Sequence, residues 1–192
     1  MKLQVRIHRS ELGEGAALPR RPSRCYTKVD GPPYTRSEYI HGSPPSKIRI
    51  YEMGNPKQNY TLRADLIIQE PCQITDGALE ALRIAVNRHL TVRLGRDNYY
   101  LKIRPKPHHI IRERRMLAFA GADRLQDGMR LSFGKPTLRA ARVRAGQVIC
   151  SVWAVDSSRA VEAIKRAFYV GGRKLPRPSR VEFVRGEGLP LE

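Results

Sequence analysis

The sequence predicts an α+β domain: a mixed or antiparallel sheet packed by two helices, with a basic extended N-terminal arm and a long mobile loop. Three observations lead there. Two segments, about 77–94 and 159–170, repeat apolar residues at helical spacing. Several shorter segments alternate, or stay apolar throughout, over strand lengths. The two kinds of segment do not follow a strict strand–helix–strand rhythm, which separates this class from doubly wound α/β folds. At 192 residues the chain is long enough for one domain with extensions, not for several packed domains.

Residues 1–46 are expected to form the arm, residues 47–185 a single domain with a mobile loop over 115–136, and residues 186–192 a tail. Within the arm, Leu3-Gln4-Val5-Arg6-Ile7 alternates like a weak edge strand. Pro22, Pro32, Pro33, Pro44 and Pro45 then forbid a long helix and favour extended chain, with Tyr26, Tyr34 and Tyr39 set between basic residues. Such chain either follows a phosphate backbone and stacks on exposed bases, or wraps its own domain with the rings as anchors.

Lys47-Ile48-Arg49-Ile50-Tyr51 alternates and reads as a strand, as does Leu62–Gln69. Asp76 is positioned to cap a helix over Gly77–Leu94, whose Leu79, Leu82, Val86 and Leu90 form one stripe and which Gly95 ends. Tyr99–Arg104 and Ile110–Arg114 are the next strands. Ala140–Arg144 and Gln147–Val155 resemble a hairpin turning at Ala145-Gly146. Ser157 or Ser158 caps a second helix over Arg159–Val170, with Val161, Ile164 and Phe168 inward and Gly171-Gly172 at its end; Val181–Val184 is the last strand.

Charge is the strongest functional signal. The net charge is +18 and the pI about 10.5, which points to a polyanionic partner. A hydrophobic content of 41% is too high for a wholly disordered basic tail. The surplus is segregated: +6 over residues 1–60, zero over 61–100, +9 over 101–150 and +3 over the remainder. A cationic surface kept for solubility would intersperse its acids instead. A basic membrane-surface helix is disfavoured, because 101–150 has strand character and prolines. Of the 36 basic residues 27 are Arg, whose planar fork grips phosphate oxygens in pairs and stacks on bases.

The candidate RNA-binding residues are therefore Arg20, Arg21, Arg24, Tyr26, Arg36 and Lys47 in and just after the arm. The basic segment adds Lys102, Arg104, Lys106, His109, Arg112, Arg114, Arg115, Arg124, Arg130, Lys135, Arg139, Arg142 and Arg144.

Other chemistries lack their residues. Gly128 to Gly134-Lys135 has five residues between the glycines where a nucleotide-binding phosphate loop has four, and Pro136 stands where that loop needs a magnesium-binding hydroxyl. Ser132-Phe133-Gly134-Lys135 has the Ser-x-x-Lys spacing of some acyl enzymes without their companion motifs. No Cys-x-x-Cys or His-Glu-x-x-His occurs, and His108 and His109 on a strand would face opposite ways. Glu113, Asp123 and Asp127 are the only acids in the basic segment, a thin set for a metal-dependent nuclease. No cofactor and no metal is expected. Three scattered cysteines argue for a reducing compartment, and the absence of a leading apolar stretch for the cytosol.

Residues 115–139 show no clear period and are rich in Gly and Arg. A loop of this length inside a domain is usually functional. Met116, Leu117 and Phe119 sit among small residues and arginines, which suggests a segment that is mobile alone and orders against RNA.

The same residues carry a family resemblance. The run from Arg112-Glu113-Arg114-Arg115-Met116 through Ala118-Phe119-Ala120-Gly121-Ala122-Asp123 to Gly128-Met129-Arg130, followed by Phe133-Gly134-Lys135-Pro136, resembles the signature of universal large-subunit ribosomal protein sixteen, archaeal and eukaryotic ten-e branch. Arg20–Tyr26, Lys47–Tyr51, Ala78–Arg83, Ala141-Arg142-Val143 and Gly146-Gln147 extend it over roughly residues 20–185. The resemblance implies a hammerhead-type α+β domain without enzymatic activity. It would be bound to large-subunit rRNA below the central protuberance, helping to position aminoacyl-site tRNA, with its loop directed toward the peptidyl transferase centre. Neighbouring ribosomal proteins, and 5S rRNA as a further candidate, are expected partners, and Arg130 and Lys135 are the residues expected to carry the function of the loop. The alternatives are a free RNA-binding regulator and an RNA-processing hydrolase built on Asp123 and Asp127.

Overall fold

The computed structural model describes residues 22–113 and 132–186. The Leu3–Ile7 stretch, most of the 115–136 loop and the tail from residue 187 lie outside the described residues. The elements in chain order are β1 (Glu52–Gly54), β2 (Leu62–Ile68), β3 (Cys72–Thr75), α1 (Asp76–Leu94), β4 (Tyr99–Ile103), β5 (His109–Glu113), β6 (Lys135–Val143), β7 (Val148–Ala154), α2 (Ser158–Gly172) and β8 (Ser179–Arg185). The α+β class is as expected. The strands form two sheets, one ordered β1-β4-β7-β2-β8 and one ordered β3-β6-β5, with every pairing antiparallel.

One apolar core joins both sheets and both helices. The α1 stripe of Leu79, Leu82, Val86 and Leu90 is fully buried against Leu62, Leu66 and Ile68 of β2, Val152 of β7, and Ile164 and Phe168 of α2. The two helices approach closely because residue 171 of α2 is glycine. A Cβ there would stand 2.7 Å from Val86 Cγ2 and 3.1 Å from Leu82 Cδ1. Gly171 and Gly172 thus belong to the helix, which continues past the end expected at Val170.

Four further expectations need correction. Thr75, not Asp76, caps α1: its Oγ1 accepts the Ala78 N–H. Asp76 is buried in the first turn, where its carboxylate accepts the N–H groups of Lys47 (2.9 Å) and Gly77 (2.8 Å) beside the positive helix end. Lys47–Tyr51 is not a strand, because the Lys47 N–H is committed to Asp76 and the Ser46 hydroxyl donates to the Ile48 carbonyl. Pairing starts one residue later, at Glu52 opposite Lys102.

The supposed hairpin is a corner between the sheets. The Gln147 N–H does donate to the Arg144 carbonyl. However, Gly146 and Gln147 then exchange backbone hydrogen bonds with Ile68 of β2, so β6 stays in one sheet while β7 enters the other. β6 also begins at Lys135, five residues before the strand expected from Ala140.

A candidate nucleic-acid interface on the second sheet

Residues 22–46 lie along the β3-β6-β5 sheet, fixed by side chains of the basic segment. Arg142 Nη1 donates to the carbonyls of Gly31 (2.7 Å) and Val29 (3.4 Å). Arg139 donates through Nε to the Pro44 carbonyl (2.8 Å) and through Nη2 to the Ser43 hydroxyl (3.1 Å). The Tyr34 N–H donates to His109 Nδ1 (2.9 Å), and the Ile110 N–H returns a bond to the Tyr34 carbonyl (2.9 Å). The Tyr26 hydroxyl donates to Glu113 Oε1 (2.9 Å), and its ring packs with Ile111 and Ala140. Of the two expected uses of the arm, wrapping its own domain is what these contacts show.

This seating changes the reading of several candidates. Tyr26 is buried, so its ring offers no open face for a base. His109 is held neutral. Burial pushes its pKa down to about 4, and the neighbouring Arg142, His108 and Arg112 add to the shift. It is therefore a hydrogen-bond acceptor for the arm and not a phosphate-binding cation at neutral pH. Arg139 and Arg142 direct donors at the arm's backbone. Lys102 pairs with Glu52 (3.2 Å) on the first sheet. Arg104 Nε donates to the Ser151 hydroxyl, which donates to Asp65, itself paired with Arg63.

The exposed candidates are Arg24, Arg36, Lys47, Lys106, Lys135 and Arg144. Arg20, Arg21, Arg114, Arg115, Arg124 and Arg130 lie outside the described residues, as do Asp123 and Asp127.

Arg112 and Lys135 lie on the two strands that flank the β5–β6 connection, and Arg24 and Arg36 are each two residues from an arm tyrosine that contacts β5. Lys135 stands opposite Glu113 in the ladder. Arg24 is two residues from Tyr26, which is bonded to that same Glu113. Arg112, half-buried, lies over the Tyr34 ring with its guanidinium carbon 4.4 Å from the ring centroid, and Arg36 follows Tyr34 by two residues. Glu113, the acid opposite Lys135, accepts from Tyr26. Exposed cations in general attract polyanions and can serve separate phosphates. Phe133 also packs here, 5.0 Å from the Arg112 guanidinium and 77% exposed. The candidate set omitted it; the available signal was a large aromatic in a Gly- and Arg-rich stretch with no apolar period.

No group of acids, histidines and cysteines able to hold a metal occurs among the described residues, and none of their helices is long and apolar enough to cross a membrane. A family model described as Ribosomal protein L16p/L10e matches residues 29–182, which spans both sheets, both helices and most of the arm's seat. The chain belongs to this family.

The L16p/L10e assignment makes it a large-subunit ribosomal protein, and its relatives agree. It is 51% identical over 166 residues to the "Large ribosomal subunit protein uL16" of Staphylothermus marinus, covering 86% of this chain and 94% of the relative. It is 47% identical over 174 residues to the protein of that name from Hyperthermus butylicus, covering 87% and 94%. The Thermofilum pendens counterpart is 49% identical over 166 residues, covering 85% and 96%. The family resemblance read from the loop signature is thus shown over the whole domain.

Proposed function

We propose that this chain binds large-subunit rRNA through the basic corner at the root of the β5–β6 connection and helps to position aminoacyl-site tRNA near the peptidyl transferase centre. It acts as a ribosome-bound constituent in the cytoplasm, next to other ribosomal proteins and 5S rRNA. The observation carrying this reading is the placement of Arg112 and Lys135 on the two strands flanking the β5–β6 connection, with exposed Arg24 and Arg36 two residues from the arm tyrosines seated on β5 and the sheet's own acid engaged by Tyr26. Lys106 and Arg144 extend the exposed cationic surface along the chain. The arm is prearranged against this sheet, so less ordering entropy opposes binding than for a loose basic tail.

Counterion release is the expected driving force. Affinity of the full chain for large-subunit rRNA should fall with salt at a log–log slope of about −0.7 to −0.9 per phosphate contact. Lys135→Ala should reduce the slope by about one contact. Changing Arg130 and Lys135 together to Ala should impair subunit maturation or tRNA accommodation with little change in melting temperature. An affinity indifferent to salt, or wild-type translation by subunits carrying the double variant, would count against this reading. Co-sedimentation with large subunits at high salt separates a subunit constituent from a regulator that washes off.

A further inference from the structure

Phe133 is a large apolar side chain that packing does not explain. It is 77% exposed, in the turn just before β6. Gly134 supplies that turn with a left-handed backbone (φ 71°), which most side chains would resist. The ring lies against Arg112, whose guanidinium carbon is 5.0 Å from the Phe133 centroid and 4.4 Å from that of Tyr34. Arg112 thus contacts two rings at once, one from the arm and one from the turn.

Tyr34 is fixed in turn. Its N–H donates to His109 and its carbonyl accepts from Ile110, on the same strand as Arg112. The backing of Phe133 is thus locked at backbone level on two elements. With Arg112 over one side of the ring, an exposure of 77% leaves the other side to solvent.

We infer that Phe133 is a stacking platform for one unpaired base of the RNA, with Arg112 and Tyr34 as positioning residues behind it. The inference rests on the rRNA-binding reading and names a contact within it. The surroundings select the ligand. Arg112 lies against the ring, Lys135 follows it by two residues, and the acid opposite Lys135, Glu113, is engaged by Tyr26, a balance that favours a polyanion over an apolar protein surface. A flat π face beside phosphate-binding cations fits single-stranded or bulged RNA, whose bases are free to leave the helical stack. A guanidinium behind the ring adds cation–π attraction and holds the ring's orientation before the base arrives. Sequence preference should be weak, because every base has a stacking face.

The test uses the full chain and large-subunit rRNA. Phe133→Leu keeps an apolar side chain and removes the ring. It should weaken binding about fivefold or more at fixed salt, leave the salt slope unchanged, and leave the melting temperature unchanged because the ring is exposed. Phe133→Trp should restore the affinity, and ultraviolet irradiation of the wild-type complex should attach a nucleotide to Phe133. A Phe133→Leu chain that binds like wild type, or a loss that Trp does not rescue, overturns the stacking role while the rRNA-binding reading stands. A loss seen only as weaker retention in the particle, at unchanged RNA affinity, points to a protein neighbour and also overturns it. If the unaltered chain shows no salt-dependent rRNA binding, the functional reading falls and this contact falls with it.

Discussion

His109 shows how one side chain is diverted from the task its type suggests. Its Nδ1 accepts the Tyr34 N–H, so a proton on that nitrogen would set two donors against each other. Burial and the nearby Arg142 and Arg112 oppose the cation further, and the pKa falls to about 4. The unfolded histidine titrates near 6.5. Between those values the unfolded chain binds the extra proton, so the stabilisation is complete above about pH 6.5 and is lost as pH falls toward about 4. His109→Asn presents an acceptor at similar reach and cannot titrate. Urea midpoints of wild type and variant should diverge progressively as pH drops through that window; parallel curves would refute the assignment. The sequence could not announce this role. A histidine among arginines looks the same whether it meets phosphate or an amide 75 positions away in the chain.

Among the elements, the α1–α2 contact makes the sharpest prediction. Gly171→Ala places a methyl group 2.7 Å from a fully buried Val86 methyl, so the helices must shift or a rotamer must strain. The expected cost is about 1–3 kcal/mol by urea denaturation. Combined with Val86→Ala, the total loss should be less than the sum of the single losses, because the second change vacates the space the first demands. Additive losses would mean that the two sites do not share this contact.

These helices were legible in the sequence because their apolar period is clear, although the cap of α1 falls one residue earlier and α2 runs two residues further than expected, and β2, β7 and β8 because their apolar runs are continuous or alternating. β3 was missed because four residues after Pro71 are too few to show a period. β6 and β7 were joined as a hairpin because the Arg144–Gln147 turn is local chemistry. Which sheet each strand enters is settled by Cys72 opposite Val143 and Ile67 opposite Val148, partners distant in sequence. The cationic character of the interface was visible as charge. The division between arginines that hold the arm and those that face outward was not, since both classes lie in the same basic run.

For the whole molecule, the arm and the sheet form one body through Arg139 and Arg142. Replacing both with Ala should release residues 22–46 while sparing the main core, which draws little from the arm. Limited trypsin digestion should then cut after Arg24, Lys28 or Arg36 at least tenfold faster, with a melting temperature close to wild type. Unchanged protection would show that Tyr26 and Tyr34 hold the arm by themselves.

The two clamps also impose an order in time. The carbonyls of Val29, Gly31 and Pro44 leave the peptide-exit tunnel early in synthesis, whereas the guanidinium groups that receive them sit 95 to 113 positions later. During that interval the nascent amino-terminal segment, already cationic, has nowhere to rest. Capture of this segment by stray nucleic acid should therefore be easiest before Arg139 and Arg142 have been translated.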